Sequence, residues 1–140
     1  VTVQRLPAGL VALTVFFVFG AVMSGLTAVL LLLPGTALDA IWDLNPVAHD
    51  QLPQAGAWAI VLMWGVCAAC TCAAIGLAKR AVWGHRLAVG ILVVNLIGDV
   101  VNAVVRSDPR TLIGIPIGGA LIAYLMMGRV RRLFTTHRRG

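Results

Sequence analysis

The sequence predicts an all-α integral membrane protein: a bundle of four transmembrane helices with a short amphipathic segment outside. Three observations predict it. Of 140 residues, 60% are apolar and only 11% are charged, against roughly 45–50% and about 25% in soluble domains. Mean hydropathy is +0.96. The apolar residues are gathered into four stretches, each near the ~20 residues that a helix needs to cross a hydrocarbon core. A soluble core of this size could not hide so much apolar surface, and disorder requires the opposite composition. One membrane domain is expected over residues 1–140.

The first span is expected at about 8–33, with no charge between Arg5 and Asp39. It is longer than the core requires, so it should tilt or project. Its apolar run exceeds that of a signal peptide and no convincing small-x-small cleavage site follows, which makes it a retained helix. Pro34-Gly35 ends it.

An outer segment, 34–56, comes next. Thr36-Ala37-Leu38-Asp39 resembles a capping box with Asp in place of the usual Glu. It should start a short helix ending near Leu44. Leu38, Ile41 and Trp42 would lie on one side and Asp39 and Asp43 on the other, with Trp42 at head-group level. Asn45-Pro46 reads as an N-cap followed by a first-turn proline, opening a second turn to about Leu52.

The remaining spans are expected at about 57–78, 87–105 and 111–128, followed by a basic tail at 129–140. Basic residues set the orientation. Arg5, Lys79, Arg80, Arg86, Arg129, Arg131, Arg132, Arg138 and Arg139 fall on one side, and only Arg106 and Arg110 on the other. Both termini are therefore expected in the cytoplasm. Lys79, Arg80, Arg86, Arg129, Arg131 and Arg132 also stand where anionic lipid head groups would meet them. The plainer reading of these six is topology alone. A net charge of +6 placed beside apolar spans suits lipid rather than nucleic acid.

One charged residue breaks the pattern. Asp99 lies inside the third span, and Asn95, Asp99, Asn102 and Arg106 follow each other at i, i+4, i+7 and i+11. At about 100° per residue they share a stripe roughly 60° wide. An Asp at a helix centre costs about 2.5–3.5 kcal/mol on insertion scales, so Asp99 should face protein or a wet cavity. Thr27 on the first span and Trp64 on the second lie at matching depth and offer a hydroxyl and an indole N–H. Pro116 cannot donate to the carbonyl of Leu112, which leaves an acceptor free for a protonated Asp99. Asp99, Asn95, Asn102, Trp64 and Thr27 are thus candidates for a proton, cation or small polar ligand. The plainer reading is polar glue between helices.

Two further features are weaker. Cys67-Ala68-Ala69-Cys70-Thr71-Cys72 places Cys67 and Cys70 on one helical face, a spacing open to soft metals or thiol exchange. Small residues also serve packing, and Ala68, Cys72 and Gly76 form an i, i+4, i+8 seam. Gly114-Ile115-Pro116-Ile117-Gly118 is a G-x-x-x-G that favours close helix contact. In the outer segment Asp39, Asp43, His49 and Asp50 read as caps and solvated polar faces ahead of a metal site. His49, His85 and His137 lie outside the spans, which argues against a haem held within them. No phosphate loop or catalytic set is present, so no cofactor and no enzymatic activity are expected.

Several stretches together resemble a group of small bacterial membrane proteins with four predicted spans and no assigned activity. They are Pro34-Gly35-Thr36-Ala37-Leu38-Asp39, Trp42-Asp43-Leu44-Asn45-Pro46, Trp83-Gly84, Asn95-Leu96-Ile97-Gly98-Asp99 and Leu112-Ile113-Gly114-Ile115-Pro116-Ile117. The resemblance runs from about Leu6 to Arg131. It implies a bacterial membrane protein, expected in the inner membrane, and adds nothing on chemistry. The expected role is an accessory or structural membrane protein, in a homo-oligomer or a larger membrane complex. A transporter or ligand-binding bundle centred on Asp99 is the alternative, and a thiol or soft-metal protein using Cys67 and Cys70 is weaker.

Overall fold

The computed structural model describes residues 5–44, 46–51, 53–106, 109 and 111–135. Helix α1 spans Ala8–Leu32, α2 Pro46–Gln51, α3 Ala57–Ala78, α4 Val82–Arg106, α5 Thr111–Met126 and α6 Gly128–Thr135. Short 3₁₀ helices cover Ala37–Leu44 and Pro53–Ala55. The described residues contain no strand. Expectations that fall on Asn45, Leu52, Asp108, Arg110, His137, Arg138 and Arg139 lie outside the described residues.

Helices α1, α3 and α4 are long and apolar enough to cross a membrane. Much of that apolar surface is uncovered: only 28% of the most apolar stretch is buried in α1 and in α3, and 11% in α4. Helix α5 has 16 residues, about 24 Å at 1.5 Å per residue, which is shorter than a full crossing. It meets α6 at a bend of 55°, and the pair counts as a fourth apolar crossing only if taken together.

Two boundaries differ from expectation. The third apolar helix starts at Val82 rather than near 87. Its first turn carries Trp83, Gly84, His85 and Arg86, which interrupt the apolar run but are compatible with helix. Length of helix and length of apolar run are different quantities, and only the second is set by hydropathy. Helix α5 stops at Met126, and the expected basic tail is helical from Gly128 to Thr135. Val130 and Phe134, at i and i+4, are buried while Arg129, Arg131 and Arg132 are exposed. That one apolar face explains why a strongly basic stretch folds.

The chain divides into two compact units. The first joins Val1–Phe16 to Cys72–Gly140. Its α3–α4 link is only Lys79–Ala81, closed by a Schellman motif: Ala81 N–H donates to the Gly76 carbonyl at 2.9 Å and Arg80 N–H to that of Leu77 at 3.0 Å. Arg80 takes the left-handed conformation, φ 53°, where glycine is usual. The backbones of Gly76 and Gly84 then touch, leaving no room for a Cβ on either. The Tyr124 ring of α5 lies directly on Gly9 of α1. At the end of α5, His85 Nε2 donates to the Leu125 carbonyl at 2.8 Å, an acceptor that the helix end would otherwise leave open. The His85 ring also packs on Phe134, with centroids 4.8 Å apart.

The second unit is Phe17–Thr71. Gly35 ends the α1 region with φ 79°. Its N–H donates to Asp39 Oδ2 at 2.9 Å, and the Thr36 hydroxyl donates back to the Leu33 carbonyl at 3.0 Å. This corrects the expected capping box. The Asp carboxylate reaches one residue further back than a box requires, and Thr36 serves the preceding helix instead of the following turn. Trp42 also differs from expectation: it is buried rather than displayed at a surface, and stacks on His49 with ring centroids 5.2 Å apart. The 3₁₀ winding turns Trp42 inward while Leu38 stays exposed.

Candidate functional site

Asp99 stands where α4 packs extensively against α5. The packing side of α4 is marked by buried Ala88 and Leu92, then half-buried Leu96, Asp99 and Ala103. This 4-4-3-4 spacing keeps one side turned to α5. Leu96 Cδ1 would stand 3.6 Å from a Cβ at Gly118, and Asp99 Oδ2 2.6 Å from one at Gly114. The G-x-x-x-G thus receives one apolar and one acidic side chain, and the absence of side chains at its two glycines is what admits them.

Asn95 and Asn102 do not join this contact. Both are exposed, because each lies roughly 60–80° around the helix from the packing side. The sequence stripe is therefore split, with the carboxylate turned to α5 and the two carboxamides turned outward. Among the described residues, no hydrogen bond ties the Asp99 carboxylate to another group. Arg106 closes α4, and its side chain lies outside the described residues. Thr27 and Trp64 belong to the other unit. The Thr27 hydroxyl donates to the Met23 carbonyl of its own helix at 2.8 Å, and Trp64 is exposed.

The cysteines sit in a packing seam different from the expected one. A Cβ on Gly25 would fall 3.2 Å from Cys67 Sγ, and one on Gly20 would fall 3.5 Å from Cys70 Sγ. Both thiols thus lie against glycines of α1. Cys72 is exposed, as is Ala68. Of the seam expected through Ala68, Cys72 and Gly76, only Gly76 packs, on Gly84, and the rest is corrected: Cys67 and Cys70 face α1 in place of Ala68 and Cys72, since several small residues compete and the neighbouring helix selects among them. All three thiols are free.

Of Asp39, Asp43, His49 and Asp50, only Asp39 and His49 share a cavity. No group of three His, Cys, Asp or Glu residues placed to hold a metal occurs among the described residues. Asp39 is engaged with Gly35 and His49 with Trp42. They border a cavity of about 280 Å³ lined mainly by apolar groups, including Leu30, Pro34 and Ile60.

The basic residues separate into two sets. Arg86 and Arg131 line a cavity of about 370 Å³ together with His85 and Phe134. Lys79, Arg80, Arg129 and Arg132 do not line it. Sequence reasoning missed this cavity and the role of His85. The i, i+4 pair Val130 and Phe134 was the available signal that the tail folds back. No known protein family, curated protein or solved structure matches the chain.

Proposed function

We propose that the chain is a small polytopic protein of the bacterial inner membrane, with four crossings and both termini cytoplasmic, acting as a non-enzymatic accessory or structural subunit. The large uncovered apolar area of α1, α3 and α4 supports membrane residence, since an aqueous solvent would penalise it at about 25 cal/mol per Å². The basic asymmetry supports the orientation. Resemblance to small bacterial four-span proteins supports the compartment.

The observation that carries the subunit role is the use made of the reactive side chains. Asp99 fits Gly114, Cys67 fits Gly25 and Cys70 fits Gly20, so each is spent on helix contact. Asn95 and Asn102 remain exposed on the apolar helix α4, where a lipid neighbour satisfies neither carboxamide. A second helix does. Purification in mild detergent, with native mass measurement, should return an oligomer or a stoichiometric complex that dissociates in Asn95→Leu/Asn102→Leu. A stable monomer with intrinsic activity would overturn the role.

A second reading rests on the Asp99 carboxylate, half-buried and without a hydrogen-bond partner among the described residues. It makes the protein a proton or cation carrier. Flux into liposomes should then fall in Asp99→Asn, and equal flux in both proteins rejects it.

A further inference from the structure

We propose that the cavity between the first turns of α4 and the α5–α6 bend is a binding site for the phosphate of an anionic phospholipid. The proposal rests on the membrane placement above. It narrows six candidate head-group residues to two, Arg86 and Arg131, which reach one cavity from different helices. The cavity, about 370 Å³, falls within the range of small-molecule sites. No acidic residue lines it among the described residues.

Its walls match the two halves of a lipid. Arg86 and Arg131 are exposed guanidiniums, whose planar forks suit phosphate oxygens. Val89 and Met126 supply an apolar flank toward the spans, where an acyl chain would run. Thr135 also borders the cavity, but its hydroxyl donates to the Arg132 carbonyl at 3.1 Å, so the two arginines are the donors.

The cavity is also built rather than incidental. His85 spans it from α4, donating to the Leu125 carbonyl and packing on buried Phe134. Those two contacts hold α6 at its 55° bend and set Arg131 beside the same cavity as Arg86. Helix α6 thereby turns its apolar side inward and its arginines outward, as a helix lying along a membrane surface does.

The test uses full-length protein in detergent and three probes: a short-chain phosphatidylglycerol, its phosphatidylcholine counterpart and inorganic phosphate. The wild type should bind the anionic lipid in preference to both others. Arg86→Gln/Arg131→Gln should bind it roughly 25-fold more weakly, about fivefold for each arginine. The charge-matched control Lys79→Gln/Arg129→Gln should bind as the wild type does, and Met126→Gln should weaken lipid binding alone. Equal losses in the two double variants would overturn the site in favour of diffuse charge. Equal affinity for inorganic phosphate would overturn the lipid assignment. Membrane fractionation of the wild type keeps the two readings apart. Protein that is retained in membranes but does not discriminate among the probes sinks the site alone, whereas protein absent from membranes sinks the placement.

Discussion

The carboxylate of Asp99 packs onto Gly114: a Cβ built at that glycine would fall 2.6 Å from Oδ2 and 3.3 Å from Cγ. The acidic residue of α4 and the first glycine of the G-x-x-x-G on α5 therefore act as a matched pair. Gly114→Ala should destabilise the α4–α5 contact by about 1–3 kcal/mol, the usual cost of overpacking. Asp99→Ala placed in the Gly114→Ala background should recover much of that loss. Thermal unfolding of the four proteins in detergent measures the coupling, and strict additivity would show that the two residues do not touch.

The α3–α4 turn makes a sharper demand. Gly76 and Gly84 meet backbone to backbone, so no side chain can move aside for a new methyl group. Gly84→Ala should cost at least about 3 kcal/mol and reduce the folded fraction recovered from membranes. Gly90→Ala, on the same helix with open space around it, should be tolerated. Similar behaviour of the two variants would contradict the close contact.

His85 closes the end of α5 through Leu125. His85→Ala should lower stability by about 1 kcal/mol, the typical net worth of such a bond. Limited proteolysis should then cut sooner near Met127, because α6 loses its tie to α4. Unchanged cleavage would show that the bend holds without His85.

The cysteines are expected to be packing groups. Replacing Cys67, Cys70 and Cys72 together with Ala should leave soft-metal uptake and redox behaviour unchanged. Cys67→Leu should destabilise by about 1–3 kcal/mol, because the Gly25 surface already lies close to the smaller thiol. Metal uptake that disappears with the thiols would restore the metal reading.

The orientation has a direct check. A tag after Gly140 should be inaccessible from outside intact cells. Labelling from outside would reverse the assignment drawn from the basic residues.

The helices and their apolar content were legible in the sequence because hydropathy and length are local properties. The apolar run marks both ends of Ala57–Ala78, and those of Ala8–Leu32 to within a residue. Helix ends formed by polar residues were less legible. Trp83-Gly84-His85-Arg86 looks like a cytoplasmic loop until the Schellman turn at Ala81 and the Gly76 contact start the helix early. Gly128–Thr135 looks like a free tail because its arginines dominate its composition.

The candidate site divides in the same way. That Asp99, Asn95 and Asn102 share a stripe follows from residue order alone, because spacing on a helix is set by its pitch. Packing against α5 turns Asp99 onto Gly114 and leaves the two carboxamides outside. Packing likewise turns Cys67 and Cys70, not Ala68 and Cys72, toward a neighbouring helix. A helix presents several sides that could pack equally well on small residues. Which of them is buried depends on the surface brought against it, and that information is distributed over residues far apart in the chain.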